Sequence, residues 1–431
     1  MKDVWSADVG TGDAQLREID DLIQKHEDWR SGCLNMIASE NLVSPAVRCY
    51  ALGDLYQRYG CYFDNDPADR EYRGNRYIAS LEIAVQRMAR EVFEAQFADL
   101  RPIGGHLAGV AALLGLTKPG DVVMDVSVRD WGHGLIESFL KSSLTEGVLR
   151  YEPLPVDGTM RTVDPQRLRD ACRSLRPRLI VLGSSGMLFP DPVSDIVEVA
   201  HDVAARVVYD ASHVMGLIGG GVFPNPLAEG ADALLGSTHK TLFGPQGGIV
   251  LTNVREIHEQ IGRAISPALV TSHHVYRLPS LAAAFAEVID FGRDYGRQTV
   301  ANSQRLAKAL VERGFNVCGA ADCGYTQTHI VLVDVSSIGT AQDVTGLLER
   351  AQITSCAHFE TQREIRLGTA ELTRRGMAES EMETIAELVG RVCMDHEPPE
   401  QLAPKVAKLA AAFPSVAFAH NPAHQSIAKR R

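Results

Sequence analysis

Apolar and polar positions along the chain follow two rhythms. Residues 14–30 (AQLREIDDLIQKHEDWR) place apolar side chains at helical intervals among dense charge, which predicts an amphipathic helix. SLEIAVQRMAREVFEAQF (80–97) predicts a second helix. Short β-branched or apolar runs then alternate with helical stretches. Strands are expected at 121–127, 178–184, 206–212 and 247–253, and in the run ADALLG that leads into GSTHK. Helices are expected at 104–117, 164–175 and 195–205. Short apolar strands separated by helices imply a mostly parallel sheet buried on both faces, and so an α/β fold. From about 280 the pattern changes to a long helix reaching 314, a strand at 329–335, and helices near 341–351 and 378–393, which suggests a smaller α+β domain. The expected organisation is a helical arm over 1–45, a large α/β domain over 46–268, a small α+β domain over 269–395, and an Ala- and Pro-rich extension over 396–431 ending in basic residues.

Composition narrows the function classes. The 431 residues carry a formal net charge of −11, which leaves no basic excess to neutralise phosphates and argues against nucleic acid as a partner. The basic clusters at 176–179 and at the terminal KRR read as solvated surface. Eight cysteines are scattered without a CxxC pair or metal spacing, a pattern that fits a reducing compartment and no metal site. The first twenty residues contain no apolar core of a secretory signal, and no apolar stretch approaches the roughly 20 residues of a membrane helix. A soluble cytoplasmic protein with no membrane partner is expected.

Candidate chemistry falls at the expected strand ends, where ligand groups gather in open α/β sheets. Asp210 and His213 follow the run VVYD, and Lys240 follows ADALLGSTH. Gly104 and Gly105 open a helix whose first N–H groups suit a phosphate. His133 follows the strand at 121–127. Singly, each has a bland reading: a turn cap, a surface charge, a tight turn. Together they supply an amine, an acid, an imidazole and an anion cradle around one crevice. A buried lysine has a depressed pKa and forms a Schiff base with an aldehyde, and pyridoxal phosphate is the aldehyde cofactor whose other needs match. A nucleotide-binding domain with the lysine on phosphate is the competitor, but neither GxGxxG nor GxxxxGK[ST] is present.

The stretches MIASENLVSPAV (36–47), KPGD (118–121), DASHVMGLIGGGVFPNPL (210–227), THKTLFGPQGG (238–248) and IRLGTAELTRRG (365–376) closely resemble the serine hydroxymethyltransferase family, in collinear order from about 14 to 395. The resemblance implies a fold-type I pyridoxal-phosphate transferase with a seven-stranded-type sheet, assembled as a homodimer or dimer of dimers with shared sites. It implies that Lys240 carries the cofactor, with Ser237 and His239 beside it. Asp210 pairs with the ring nitrogen, His213 lies near the 3-hydroxyl, and His133 stacks on the ring. Gly104–Gly105–His106 occupies the phosphate loop, where the family prefers Ser-Gly-Ser. Ser185 lies at the cofactor, Arg366 clamps the substrate carboxylate with Ser39 assisting, and Tyr59 and Tyr72 lie near phosphate and substrate, Tyr72 among the catalytic groups.

Four departures from the family fall in the expected site. Cys61 stands where the family has a glutamate acting at the hydroxymethyl group and folate, and a thiol lacks a carboxylate's acid–base range. Asp64, Asp66 or Glu71 would substitute for that glutamate if the loop is rerouted. The folate-contacting loop is shortened and rewritten as SCAHFETQRE (355–364), and Gln246 replaces an arginine. VTSH (270–273) replaces a glycine-rich segment, leaving Thr271 and Ser272 as phosphate donors toward the other subunit. The stretches GPQ, SHHVYRLP, FGRDYGRQTVANSQ and GYTQTH are similar to L-threonine transaldolases. That resemblance implies cleavage of threonine to acetaldehyde and transfer of the glycine unit to a second aldehyde, with His133 as the base at the β-hydroxyl. Cys61 and Gln246 then border the substrate, and tetrahydrofolate is a doubtful cofactor. Folate-dependent serine/glycine hydroxymethyltransferase and threonine aldolase are the alternatives within the enzyme class. A catalytically silent binding protein is the alternative outside it.

Overall fold

The computed structural model describes residues 12–420 except 52, 63 and 359; the ends of the expected arm and extension, 1–11 and 421–431, lie outside the described residues. Seven strands form the larger sheet: β1 (Phe97–Asp99), β2 (Val122–Asp125), β3 (Arg150–Pro153), β4 (Leu179–Leu182), β5 (Arg206–Asp210), β6 (Ala233–Ser237) and β7 (Gly248–Thr252). Their spatial order is β1-β7-β6-β5-β4-β2-β3. The pairs from β3 through β6 are parallel, and β7 runs antiparallel to both β6 and β1. The central strands β4 and β6 are buried at every position, as sheets covered by helices on both faces require.

Local chemistry sets the boundaries. The helix Arg76–Phe93 stops four residues short of the expected end because Glu94 adopts a left-handed conformation (φ 53°), and β1 begins at Phe97. Asp164 caps the helix Pro165–Leu175 through the N–H groups of Gln166 and Arg167, with proline at the first helical position. β3 is more exposed than its neighbours and lies at the sheet edge, and its weak apolar pattern gave no strand expectation. The segment 399–411 of the extension forms a helix, Pro399–Ala411, which packs Leu402 and Val406 into the second core.

A four-stranded antiparallel sheet holds β8 (Asn316–Val317), β9 (Ile330–Asp334), β10 (Cys356–Ala357) and β11 (Glu364–Gly368) in the order β10-β11-β9-β8. The expected division of the chain at 268/269 falls just before the helix Arg277–Glu312, which serves both cores. Its Leu278, Leu281 and Phe285 pack with the large sheet, and its Leu306 and Leu310 pack with the small one. Glu287 of this helix forms a fully buried ion pair with Arg374 at 2.9 Å, and Arg374 in turn lies 4.1 Å from the Phe243 ring. Arg374, on the helix Ala370–Arg374 after β11, therefore ties the long helix to the loop after β6. Among the described residues no helix is long and apolar enough to cross a membrane.

Candidate active site

The chain turns sharply where β5 and β6 end, and the two turns are stapled together. Thr241 Oγ1 donates to the His213 carbonyl (2.8 Å) and accepts from the Gly216 N–H (3.0 Å). A Cβ on Gly216 would lie 2.1 Å from the Thr241 carbonyl, so only glycine permits this approach. Thr238 closes the loop by donating to the Pro245 carbonyl at 2.6 Å. Lys240 is thereby held on a rigid turn beside Asp210 and His213.

Six of the expected residues line one cavity of about 250 Å³: Ser39, His133, Ser185, His213, Lys240 and Arg366. The cavity lies between the two sheets. Arg366 sits on β11 opposite Leu332 of β9, and its Nη1 donates to the Ser185 carbonyl (2.6 Å) beyond β4. His133 Nδ1 lies 3.1 Å from Asp210 Oδ2, while Asp210 Oδ1 accepts from the Ser212 N–H. The rings of His133, His213 and His329 stack in a near-parallel column with centroids 5.7 Å apart at each step. His239 and Gln246 face an adjoining crevice of about 570 Å³, which shares Ser39 with the first.

Burial dominates the electrostatics. It pulls the Lys240 amine down to about 8, with Asp210 opposing the fall and Arg366 adding to it. Burial also pushes Asp210 upward, but His133, Ser212 and Lys240 together outweigh it and bring the carboxyl down to about 2. Asp210 is therefore an anion at neutral pH. Burial and the nearby Lys240 charge drive His213 well below its ordinary value and His239 down to about 4, so both rings are neutral.

These residues fit pyridoxal phosphate on three observations. Gly105 packs so tightly that a Cβ would lie 2.4 Å from Ser237 Oγ, whereas a Cβ on Gly104 would meet nothing within 4 Å, leaving space over the start of the helix Gly105–Leu116. No side chain caps that helix, so its first N–H groups are free for an anion. Buried polar atoms at the site, His133 Nε2, His213 Nδ1, His239 Nδ1 and Arg366 Nε, have no partner among the described residues, as groups awaiting a polar ligand would. His106, the third residue of the turn, is exposed.

Five expected residues gather elsewhere. Tyr59 and Tyr72 pack against each other with centroids 5.4 Å apart and are 58% and 45% exposed. Cys61 is buried and donates to the Thr271 carbonyl at 2.7 Å, with Ser272 beside it. None of the five lines either cavity.

Five cavity residues carried no expected role: Val128, Gly132, Trp131, Cys356 and His358, the last three forming part of its wall. Trp131 takes a left-handed backbone (φ 63°), donates from Nε1 to Glu364 (2.5 Å) and meets the His358 ring edge-on at 4.5 Å. Arg161 holds the other Glu364 oxygen. The stretches RDWGHG and SCAHFETQRE contain these residues, but their meeting over more than 200 positions of sequence has no local signal.

The serine hydroxymethyltransferase family profile matches residues 13–389. The chain is 38% identical over 390 residues to the serine hydroxymethyltransferase of Methanosphaera stadtmanae, covering 88% of this chain and 91% of that one. It is 39% identical over 407 residues to that of Methanopyrus kandleri, covering 92% and 93%. Among solved structures it is similar to the L-threonine transaldolase from Pseudomonas fluorescens in its internal aldimine state, with a TM-score of 0.87, 30% identity and 94% coverage of both chains. With its seven-stranded α/β sheet and a cavity lined by Lys240 and Arg366, the chain belongs to the serine hydroxymethyltransferase family of fold-type I, pyridoxal-phosphate-dependent transferases.

Proposed function

We propose that the protein is an L-threonine transaldolase, converting threonine and an aldehyde into a new β-hydroxy-α-amino acid and acetaldehyde. The observation that carries this reading is the state of Cys61, which stands where the family resemblance implies a glutamate acting at folate. Burial, the largest influence, raises the thiol's pKa, and the group is spent on a backbone carbonyl, so it offers no general acid–base function.

When bound, pyridoxal phosphate supplies an electron-withdrawing ring that accepts the electron pair left on Cα as the Cα–Cβ bond breaks. The chain's own residues do the rest. Lys240, with its lowered pKa, offers a neutral amine at a useful fraction of molecules near neutral pH. Asp210 presents a fixed negative charge for a protonated ring nitrogen. Arg366, anchored on Ser185, turns its unpartnered Nε to the substrate carboxylate, with Ser39 across the cavity. His133 Nε2 takes the β-hydroxyl proton of threonine as acetaldehyde leaves. It returns that proton to the oxygen of the second aldehyde when the electron pair on Cα forms the new bond.

The working unit in this reading is a homodimer or dimer of dimers. Tyr59 and Tyr72 are exposed away from Lys240, and the helix Gly12–Ser31 leaves Leu16, Ile19 and Ile23 in solvent, as surfaces covered by a second copy would be. A cytoplasmic location belongs to the same reading, consistent with eight unpaired cysteines.

A second reading, folate-dependent serine/glycine hydroxymethyltransferase, is favoured by the higher identity to proteins of that name, 38–39% against 30% for the transaldolase. The exposed Glu71, near enough to raise the Cys61 and Tyr72 pKa values, is the carboxylate that would serve it. Incubation with L-threonine, with and without an acceptor aldehyde and tetrahydrofolate, distinguishes them. The transaldolase reading expects acetaldehyde and an acceptor-derived amino acid without folate. Serine cleavage that depends on tetrahydrofolate, without aldehyde exchange, would replace it. Acetaldehyde and glycine in equal amounts, unaffected by the acceptor, would indicate threonine aldolase.

A further inference from the structure

Arg277 opens the helix Arg277–Glu312 and is only 2% exposed, yet among the described residues no carboxylate bonds to it. Its Nη2 donates to the Leu100 carbonyl and to the Pro102 carbonyl (2.8 Å). Its Nε and Nη1 have no partner among the described residues. The acids whose fields reach it are already engaged: Glu82 by Arg70 and His273, and Asp99 by Arg101. A buried cation without a counter-ion is costly, and burial accordingly pulls this guanidinium down to about 10.

Its surroundings are the foundations of the phosphate turn. Pro102, whose carbonyl it holds, also accepts from the Gly248 N–H (2.9 Å) and lies two residues before Gly104. A Cβ on Gly247 would lie 2.0 Å from Arg277 Nη1, and one on Gly248 would lie 2.4 Å from the Gly104 carbonyl. The guanidinium thus fills the space left by Gly247, behind the residues that cap the helix Gly105–Leu116.

We propose that Arg277 is a positioning residue for the cofactor's phosphate: it fixes the Leu100–Pro102 segment that aims the Gly104–Gly105 turn, and its uncompensated charge becomes paired when a phosphate dianion seats on the helix. This takes up the role of the hydroxyl groups that the Gly-Gly-His turn lacks. The inference rests on the cofactor and is independent of which aldehyde or folate reaction the enzyme performs.

The test uses the full-length apoprotein, titrated by absorbance with pyridoxal phosphate and with pyridoxal, which lacks the phosphate. R277Q should weaken pyridoxal phosphate binding by about 10-fold or more while changing pyridoxal binding by less than about twofold. R277K keeps the charge and covers the case in which R277Q does not fold; its ratio of the two affinities should stay within about threefold of the parent protein's. Equal loss of both ligands in R277Q, an unchanged affinity for pyridoxal phosphate, or a ratio in R277K that drops by about 10-fold or more would each overturn the proposal.

Discussion

The turns around Lys240 and the loops around Tyr59 are both made of residues the family resemblance marks for one site, but they differ in every physical respect. The first group is enclosed, tied by buried hydrogen bonds to β5, β6 and β11, and contains the orphaned polar atoms. The second sets exposed tyrosine rings around a buried Cys61 and lines neither cavity. The enclosed group keeps the family's residues at Lys240, Asp210 and Arg366, with Gln246 as a departure at its edge. The second group contains Cys61, Thr271 and Ser272, where the sequence also departs from the family. We propose that a single chain builds the cofactor-side machinery by itself and that the variable half is delivered by a second copy.

The largest test of that contrast is K240A. Its loss should reduce turnover by at least about 1,000-fold, because nothing else in the cavity replaces the amine. A neutral substitution of the exposed group, Y59A, should also impair activity if that group completes a partner's site. Mixing K240A and Y59A chains under exchange conditions should then restore about a quarter of the parent activity, through random pairing that leaves one intact site in each hybrid. Failure of the mixture to regain activity, with exchange verified by mass, would break the comparison.

Arg366 is next in expected effect. R366K removes the fork while keeping a charge, and kcat/KM for the amino acid should fall by about 10- to 100-fold, mostly through KM. Steady-state kinetics on threonine read it directly.

How much of this was legible in the sequence depended on distance along the chain. Lys240 and Asp210 could be picked out because each terminates an apolar run too hydrophobic to face water, and the strands β5 and β6 stand where those runs lie. The alternation in Glu364–Gly368 is equally regular: Ile365 and Leu367 enter the second core while Arg366 faces Ser185. It was nonetheless read only through the family motif, because a five-residue strand with two charges is a weak local signal. The end of the helix Arg76–Phe93 was misplaced because its stop is a left-handed glutamate and not a glycine. The wall of Trp131 and His358, and the half-partnered Arg277, arise from contacts across more than a hundred residues, which no periodicity records.

The smallest expected effect is electrostatic and sharpens the enclosed half of the comparison. With Lys240 at about 8, its neutral fraction rises as pH climbs through that value. At pH 7 about one amine in ten is free to react, against a few in ten thousand for an ordinary lysine. Capture of a simple aldehyde by the apoprotein should accelerate up to about pH 8–9 and then level. In D210N the midpoint should move to lower pH, because the Asp210 carboxylate raises the Lys240 value. A midpoint near that of free lysine in the parent protein would mean the cavity is wetter than its walls imply.

The most direct measurement of the central claim is product analysis on the holoenzyme given L-threonine and an acceptor aldehyde in folate-free buffer. The account predicts acetaldehyde and a new β-hydroxy-α-amino acid in equal amounts, with formation of the new amino acid dependent on the acceptor. Absence of any acceptor-derived amino acid, together with tetrahydrofolate-dependent cleavage of serine by the same preparation, would contradict it.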